Sequence, residues 1–383
     1  MQSEYMHWAK NQPPARYNLA SSEVPHVSLD PWVKDIASLE LDGASRHRYP
    51  ALREAIAAKC GVDPACVVMA DGTSMANMLA MAALIEPGDE VLIEHPAYEP
   101  LVAAASFLGA KVRRFERQNP PRAPLGEGDH AQHGGGVAGA AGGPPPLAGE
   151  DLPLSPAAIA AALTPATRLI ILTNLHNPSS ALAPPETLLE IGALAARAGA
   201  RVLVDEVYLD AATTPQRSAA LLSDTFITTS SLTKAHGLSG LRCGWILAAP
   251  DLAERIWRLN ELFAVAQPHP TERLALIALA NLAEIDAANT AHLAHNRALA
   301  NAFFPSRADL EVAPLTHGIT AFPRLIGGDV HRLHALLRDR HDTSIVPGRF
   351  FGAPDHFRVG IGGEPAVVEA GLARLAKGLD DVR

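Results

Sequence analysis

The stretch SLTKAHGLSGLRCGW, residues 231–245, sets Lys234 and Arg242 among small and apolar neighbours. A charge withdrawn from water is costly unless it is paired or gives up its proton. The two cations therefore either lie on a solvated loop or face something anionic and electrophilic held between them. A lysine near its neutral form condenses with an aldehyde, and an arginine fork receives a phosphate.

Other polar side chains fall at comparable places. DGTSMANML, 71–79, follows the apolar run VVMA and leads into helical sequence, so Gly72, Thr73 and Ser74 bring free N–H groups, two hydroxyls and a helix N-terminus to one point. The same two hydroxyls are also the ordinary equipment of a helix N-cap. In TNLHNPSS, 173–180, Pro178 holds Asn177 out of the helical region and lets its amide project from the loop, although Asn-Pro also opens many plain turns. RVLVDEVY, 201–208, closes an apolar run with Asp205, Glu206 and Tyr208. A carboxylate there needs a cation or donors, unless it merely caps the turn. Ser231 opens the Lys234 stretch, and HFRVGIG, 356–362, sets Arg358 in an apparent strand; on an edge strand an arginine is ordinarily solvated.

Together these groups meet one chemical requirement: an amine for an aldehyde, an arginine with hydroxyls for a phosphate, and a carboxylate to keep a pyridine nitrogen protonated. Pyridoxal 5'-phosphate carries all three partners. Its protonated ring is a strong electron sink for a carbanion at a substrate α carbon, and each ~1.36 kcal/mol of such stabilisation gives about tenfold in rate.

The elements that position these residues follow an α/β rhythm. Apolar runs predict strands at 67–70, 90–94, 111–116, 169–173, 201–205, 225–229 and 243–247, with helices at 75–85, 99–108, 156–163 and 185–198, the last ending at Gly199 as a C-cap. After Pro250 the strand rhythm stops, and one nearly unbroken helical pattern runs from about 271 to 303. Short strands near 318–323, 343–346 and 356–361, with helices near 330–338 and 365–379, predict a smaller α+β part. The segment 119–150 is dominated by Gly, Pro and Ala and reads as a mobile surface excursion whose His130 and His133 are solvent-exposed.

With 383 residues, 48% of them hydrophobic, the chain has enough material for a sizeable core. Its 41 acidic against 32 basic residues, net −9, give no electrostatic footing for nucleic acid or an anionic membrane. The amino terminus lacks the apolar core of a signal peptide and no apolar run approaches the ~18 residues of a membrane span, which predicts a cytoplasmic protein. Cys60, Cys66 and Cys243 have no metal-site spacing and read as free thiols.

The order DGTS, PAY, HNPSS, DEVY, SLTK, GLRCGW and FRVGIG resembles that of the class I/II aminotransferases of the fold type I pyridoxal phosphate superfamily, over nearly the whole chain. The resemblance implies a large domain at 45–265 with a mostly parallel seven-stranded sheet flanked by helices, and a small α+β domain built from 1–44 and 266–383. It implies that Lys234 bonds to the cofactor's aldehyde carbon and moves the proton at the α carbon, while Asp205 pairs with the pyridine nitrogen. Asn177 and Tyr208 would bond the phenolic oxygen, Tyr98 would stack on the ring, and Thr73, Ser74, Ser231 and Arg242 would hold the phosphate with Gly72 allowing close approach. Arg358 would clamp the substrate α-carboxylate, with Asn177 and Ser22 beside it. Tyr49 would reach the neighbouring subunit's phosphate, which implies a homodimer with shared sites. The implied reaction moves an amino group between an L-amino acid and a 2-oxo acid. A carbon-sulfur β-lyase working by α,β-elimination is the alternative on the same scaffold. A ligand-sensing regulator would need a fused helix-turn-helix, for which no room exists ahead of YNLASSEV. Two departures stand out: NPSS puts Ser180 where glycine is usual, and LASSEV puts Ser22 where a glycine often lets backbone approach the carboxylate.

Overall fold

The computed structural model describes residues 2–117, 152–264 and 266–382; the predicted excursion at 119–150, with His130 and His133, lies outside them. Seven strands form one sheet, in the spatial order Val67–Asp71, Cys243–Leu247, Phe226–Ser231, Arg201–Asp205, Thr167–Thr173, Glu90–His95, Lys111–Glu116. Cys243–Leu247 is antiparallel to both neighbours; the other pairings are parallel. The interior strands carry near-continuous apolar runs because helices cover both faces, and Leu169, Ile171, Leu203 and Ile227 have no exposed surface. At one margin Lys111–Glu116 reads KVRRFE and leaves its charged residues exposed or half-buried, which discourages further pairing.

All seven predicted strands are present within two residues of their expected ends. Helix Pro185–Ala198 starts on a proline and stops at Gly199 with φ +70, as its sequence dictates. Helix Gly72–Leu84 begins three residues earlier than the hydrophobic pattern suggested, which places Thr73 and Ser74 inside its first turn rather than at the cap. The single helix expected at 271–303 is two, His269–Ala280 and Leu282–Phe303, bent by 70°. Asn281 causes the break: its Nδ2 donates to Ile277 O at 2.7 Å, so the side chain satisfies a carbonyl that a continuing helix would have used. Three further helices, Glu4–Asn11, Pro50–Cys60 and Pro250–Asn260, were not anticipated. Among the described residues no single helix is long and apolar enough to cross a membrane, and no cluster of His, Cys, Asp or Glu is placed to hold a metal ion.

A second core gathers Leu19 with residues from 300 onward. Its three short antiparallel strands run in the order Thr320–Ala321, Phe357–Gly360, Val346–Pro347, packed by helices Val330–His341 and Pro365–Val382. Phe357–Gly360 is thus the middle strand, and Arg358 is 1% exposed, unlike the solvated arginine that an edge strand would ordinarily carry. The amino-terminal segment ties the two cores together. Gly360 N donates to Leu19 O at 2.7 Å, Val24 N to Lys234 O at 3.1 Å and Val27 N to Gly237 O at 3.1 Å.

Candidate active site

Loops leaving the carboxyl ends of the parallel strands converge on a cavity of about 840 Å³, where such sheets place their ligands. Thr73 and Ser74 follow the first strand, Tyr98 the second, Asn177 the fourth, Asp205 and Tyr208 the fifth, and Lys234 the sixth; all line the cavity, as do Ser22 and Arg242. The cations of the 231–245 stretch are therefore neither buried nor on a plain surface loop. Arg242 is exposed and the Lys234 side chain is 32% exposed, both toward the cavity.

One end of the cavity is built for an anion. Thr73 Oγ1 donates to Ser231 Oγ at 2.8 Å, and Ser231 Oγ meets Thr233 Oγ1 at 2.7 Å. Arg242 Nη2 donates to Asp71 O at 3.1 Å, and no carboxylate pairs with its guanidinium among the described residues. Gly72 has φ +75, and a Cβ there would run into that guanidinium. Gly244 lies against the Gly72 backbone, so a Cβ on it would collide as well. The two glycines let Arg242, the hydroxyls and the helix N-terminus approach one point, a donor set that matches a phosphate.

Deeper in, Asp205 is 5% exposed and its two oxygens are separately held. Oδ2 accepts from Asn77 Nδ2 at 2.8 Å and Oδ1 from Val207 N at 3.0 Å. Asn77 is itself oriented by Thr229 Oγ1, which donates to its Oδ1 at 2.6 Å. Burial pushes the Asp205 carboxyl up to about 6 even though these bonds favour its charged form. A cationic ring nitrogen beside it would relieve that burden. The turn-capping role considered for Asp205 is real, through Val207, but it uses only one oxygen.

Arg358 is not itself among the cavity-lining residues but bonds three that are: its Nη1 donates to Asn177 Oδ1 at 2.9 Å, and its Nη2 to Tyr5 OH at 3.0 Å and Ala20 O at 3.2 Å. Its Nε is buried with no hydrogen-bond partner, and no carboxylate pairs with it among the described residues. Asn177 is positioned from behind: its N–H donates to Thr173 Oγ1 at 2.9 Å, and Thr173 donates to Glu94 Oε1 through N at 2.8 Å and Oγ1 at 2.6 Å. Glu94 is locked by Arg117 Nε at 2.8 Å, in an ion pair with 0% and 1% exposed side chains.

Ser180 sits at φ +63, the left-handed region that favours glycine, and its Oγ donates to Thr320 O at 2.7 Å and accepts from Thr320 N at 3.1 Å. Those bonds offset part of the strain and leave the loop closed around Asn177. Tyr98 packs edge-on against Tyr5, ring centroids 5.5 Å apart. Tyr49 does not line the cavity; it is 7% exposed and its OH accepts from Arg273 Nη1 at 3.0 Å. Asn77, Thr173, Glu94, Arg117, Tyr5 and Glu23 belong to the site's surroundings and were not singled out from sequence. All three cysteines are free, as expected.

The family described as aminotransferase class I and II matches residues 16–375. The capreomycidine synthase of Streptomyces vinaceus is 31% identical over 381 residues, 95% of this chain and 90% of that protein. The arginine–pyruvate transaminase of Pseudomonas aeruginosa is 27% identical over 315 residues, 79% of this chain and 72% of that protein. Among solved structures, a PLP-dependent aminotransferase from Streptococcus suis 89-1591 superposes with TM-score 0.85 at 21% identity, covering 100% of this chain and 98% of that one.

Proposed function

The chain belongs to the aminotransferase class I and II family, and from that premise we propose that it moves an amino group between an L-amino acid and a 2-oxo acid. It is an enzyme of the pyridoxal 5'-phosphate-dependent class. The bound cofactor supplies an aldehyde for the amine and an electron sink that stabilises negative charge at the substrate α carbon.

The chain's own residues supply the rest. Thr73, Ser74, Ser231 and Arg242 bind the phosphate across Gly72. Asp205, oriented by Asn77, keeps the ring nitrogen protonated, while Asn177 and Tyr208 donate to the phenolic oxygen and Tyr98 covers the ring face. Lys234 Nζ would hold the cofactor's aldehyde carbon and, when free of it, would carry the proton at the substrate α carbon. Ser22 walls the carboxylate end. We also assign 45–265 to a large domain and both termini to a small one, and Tyr49 to the neighbouring subunit's phosphate in a homodimer.

The observation that carries this reading is Arg358: a fully buried guanidinium with a free Nε and no anionic partner among the described residues. A buried cation in that state calls for a carboxylate. An amino acid supplied to the holoenzyme should convert the cofactor to its aminated form, and a 2-oxo acid should reverse the change. Absence of conversion across the common L-amino acids contradicts the proposal.

A second reading is a carbon-sulfur β-lyase working by α,β-elimination, which begins with loss of the same α proton; the 31% identical relative named as a synthase rather than a transaminase leaves room for a reaction other than amino-group transfer. Release of ammonia and a 2-oxo acid without any acceptor would support it.

A further inference from the structure

The amino-terminal strap carries a charged group at the reacting lysine that the reading above leaves unused. Residues 19–24 are fastened at both ends, by Leu19 O to Gly360 N at 2.7 Å and by Val24 N to Lys234 O at 3.1 Å, so the strap spans from the Arg358 strand to the Lys234 loop. Ser22 and Glu23 line the cavity from it. Glu23 Oε2 lies 3.5 Å from Lys234 Nζ. Among the described residues that line the cavity, Glu23 and Asp205 are the only carboxylates, and Asp205 is occupied by Asn77 and Val207.

The ion pair exists only while the Lys234 amine is free and charged; an amine that holds the cofactor's aldehyde carbon no longer offers Glu23 an ammonium. Glu23 is then left facing the cavity without a cation among the described residues. With side chains 32% and 37% exposed the pair is weak and readily exchanged for another cation. Substrate filling the cavity would displace the water that weakens such a contact, which favours a cation brought by the substrate itself.

The remaining charges of the lining set where that cation sits. Lys10 is exposed, and Arg338 donates to Pro13 O at 2.7 Å; both line the cavity, and both repel a positive group that extends toward them. Glu23 attracts one held close to the reacting carbon.

Resting on the assignment of Lys234 as the residue that holds the cofactor, we infer that this site takes an L-amino acid whose side chain bears a guanidinium or ammonium group. Glu23 is the specificity-determining residue that receives it, with the side chain folded back toward Lys234.

The test is an equilibrium titration of the holoenzyme without any 2-oxo acid, read by cofactor absorbance and by calorimetry. L-Arginine is compared with uncharged L-citrulline, and L-lysine with L-norleucine. The charged member of at least one pair is expected to bind about tenfold tighter, about 1.4 kcal/mol. In Glu23→Gln that ratio should fall below about twofold, and Glu23→Asp should restore part of it, while norleucine binds all three proteins alike. Equal binding within both pairs, or a charge preference that survives Glu23→Gln, overturns the assignment of Glu23 and leaves the amino-acid site standing. If none of the four ligands perturbs the loaded wild-type enzyme, the reading of the cavity as an amino-acid site falls, and this inference with it.

Discussion

Asn77 Nδ2 reaches Asp205 Oδ2 at 2.8 Å from a helix 128 residues away in sequence. The contact fixes the carboxylate's plane where the parallel strands end. It also does not fully compensate burial, which lifts Asp205 to about 6. An unfolded aspartate titrates near 3.9, so below about pH 4 the group is neutral in both states and costs nothing. Between about pH 4 and 6 the penalty grows, and above 6 it is complete, on the order of 3 kcal/mol at most. In the cofactor-free protein, Asp205→Asn should therefore raise stability by about 1–3 kcal/mol at pH 8 and leave it unchanged at pH 4. Urea unfolding at the two pH values checks this; equal effects at both would contradict it.

Gly72 and Gly61 offer a controlled pair, because their φ values, +75 and +72, are nearly the same. A Cβ at Gly61 meets nothing within 4 Å, whereas one at Gly72 strikes the Arg242 guanidinium. Gly61→Ala should cost about 1–2 kcal/mol of stability with unchanged cofactor affinity. Gly72→Ala should in addition weaken cofactor binding about tenfold or more, measured by dialysis and absorbance.

The path from Arg117 through Glu94 and Thr173 to Asn177 is buried throughout. Thr173→Val keeps the shape but deprives the Asn177 N–H of its acceptor, a loss of about 1–3 kcal/mol. Since Asn177 also steadies Arg358, KM for the amino acid should rise about tenfold while kcat changes less than about threefold, with Thr173→Ser close to wild type. An unchanged KM in a folded Thr173→Val enzyme would show that the relay does not position the clamp.

His236, two residues beyond Lys234, has no side-chain exposure and lies between Asp286 at 2.6 Å and Asp210 at 3.1 Å. Burial opposes its charge, but the bonds to the two carboxylates outweigh that and raise its affinity for the proton. A histidine raised in the folded state contributes its full stabilisation below its unfolded value of about 6.5 and loses it as pH rises through the folded value. His236→Asn should thus destabilise the protein more at pH 6 than at pH 9, by thermal melting. The opposite pH trend would mean that the imidazole is held neutral.

The sheet was legible because its interior strands are short, bounded apolar runs, and such runs survive any detail of loop structure. The chemistry at strand ends was legible for a related reason: Asp205, Asn177 and Lys234 each follow a buried run directly. Residues acting from behind were not. Asn77 lies on the same helical face as Thr73, Ala76 and Ala80, and all four are buried; an amide on that stripe was the signal that it needed partners. Glu94 sits inside a strand that was read only for its apolar content, and its partner Arg117 lies far along the chain. The short strands expected near 318–323, 343–346 and 356–361 are present, but so few residues do not encode their order, so the middle position of Arg358 came only from pairing. The helix at 50–60 did carry a signature, Pro50 at its first position and Gly61 after its end, that the hydrophobic pattern alone did not bring out.

Borohydride reduction of the freshly isolated, cofactor-replete enzyme, followed by peptide mass spectrometry, tests the central claim most directly. The account predicts a phosphopyridoxyl group on the peptide containing Lys234 and on no other. A loaded protein whose Lys234 remains unmodified, or whose label sits on another lysine, would contradict it.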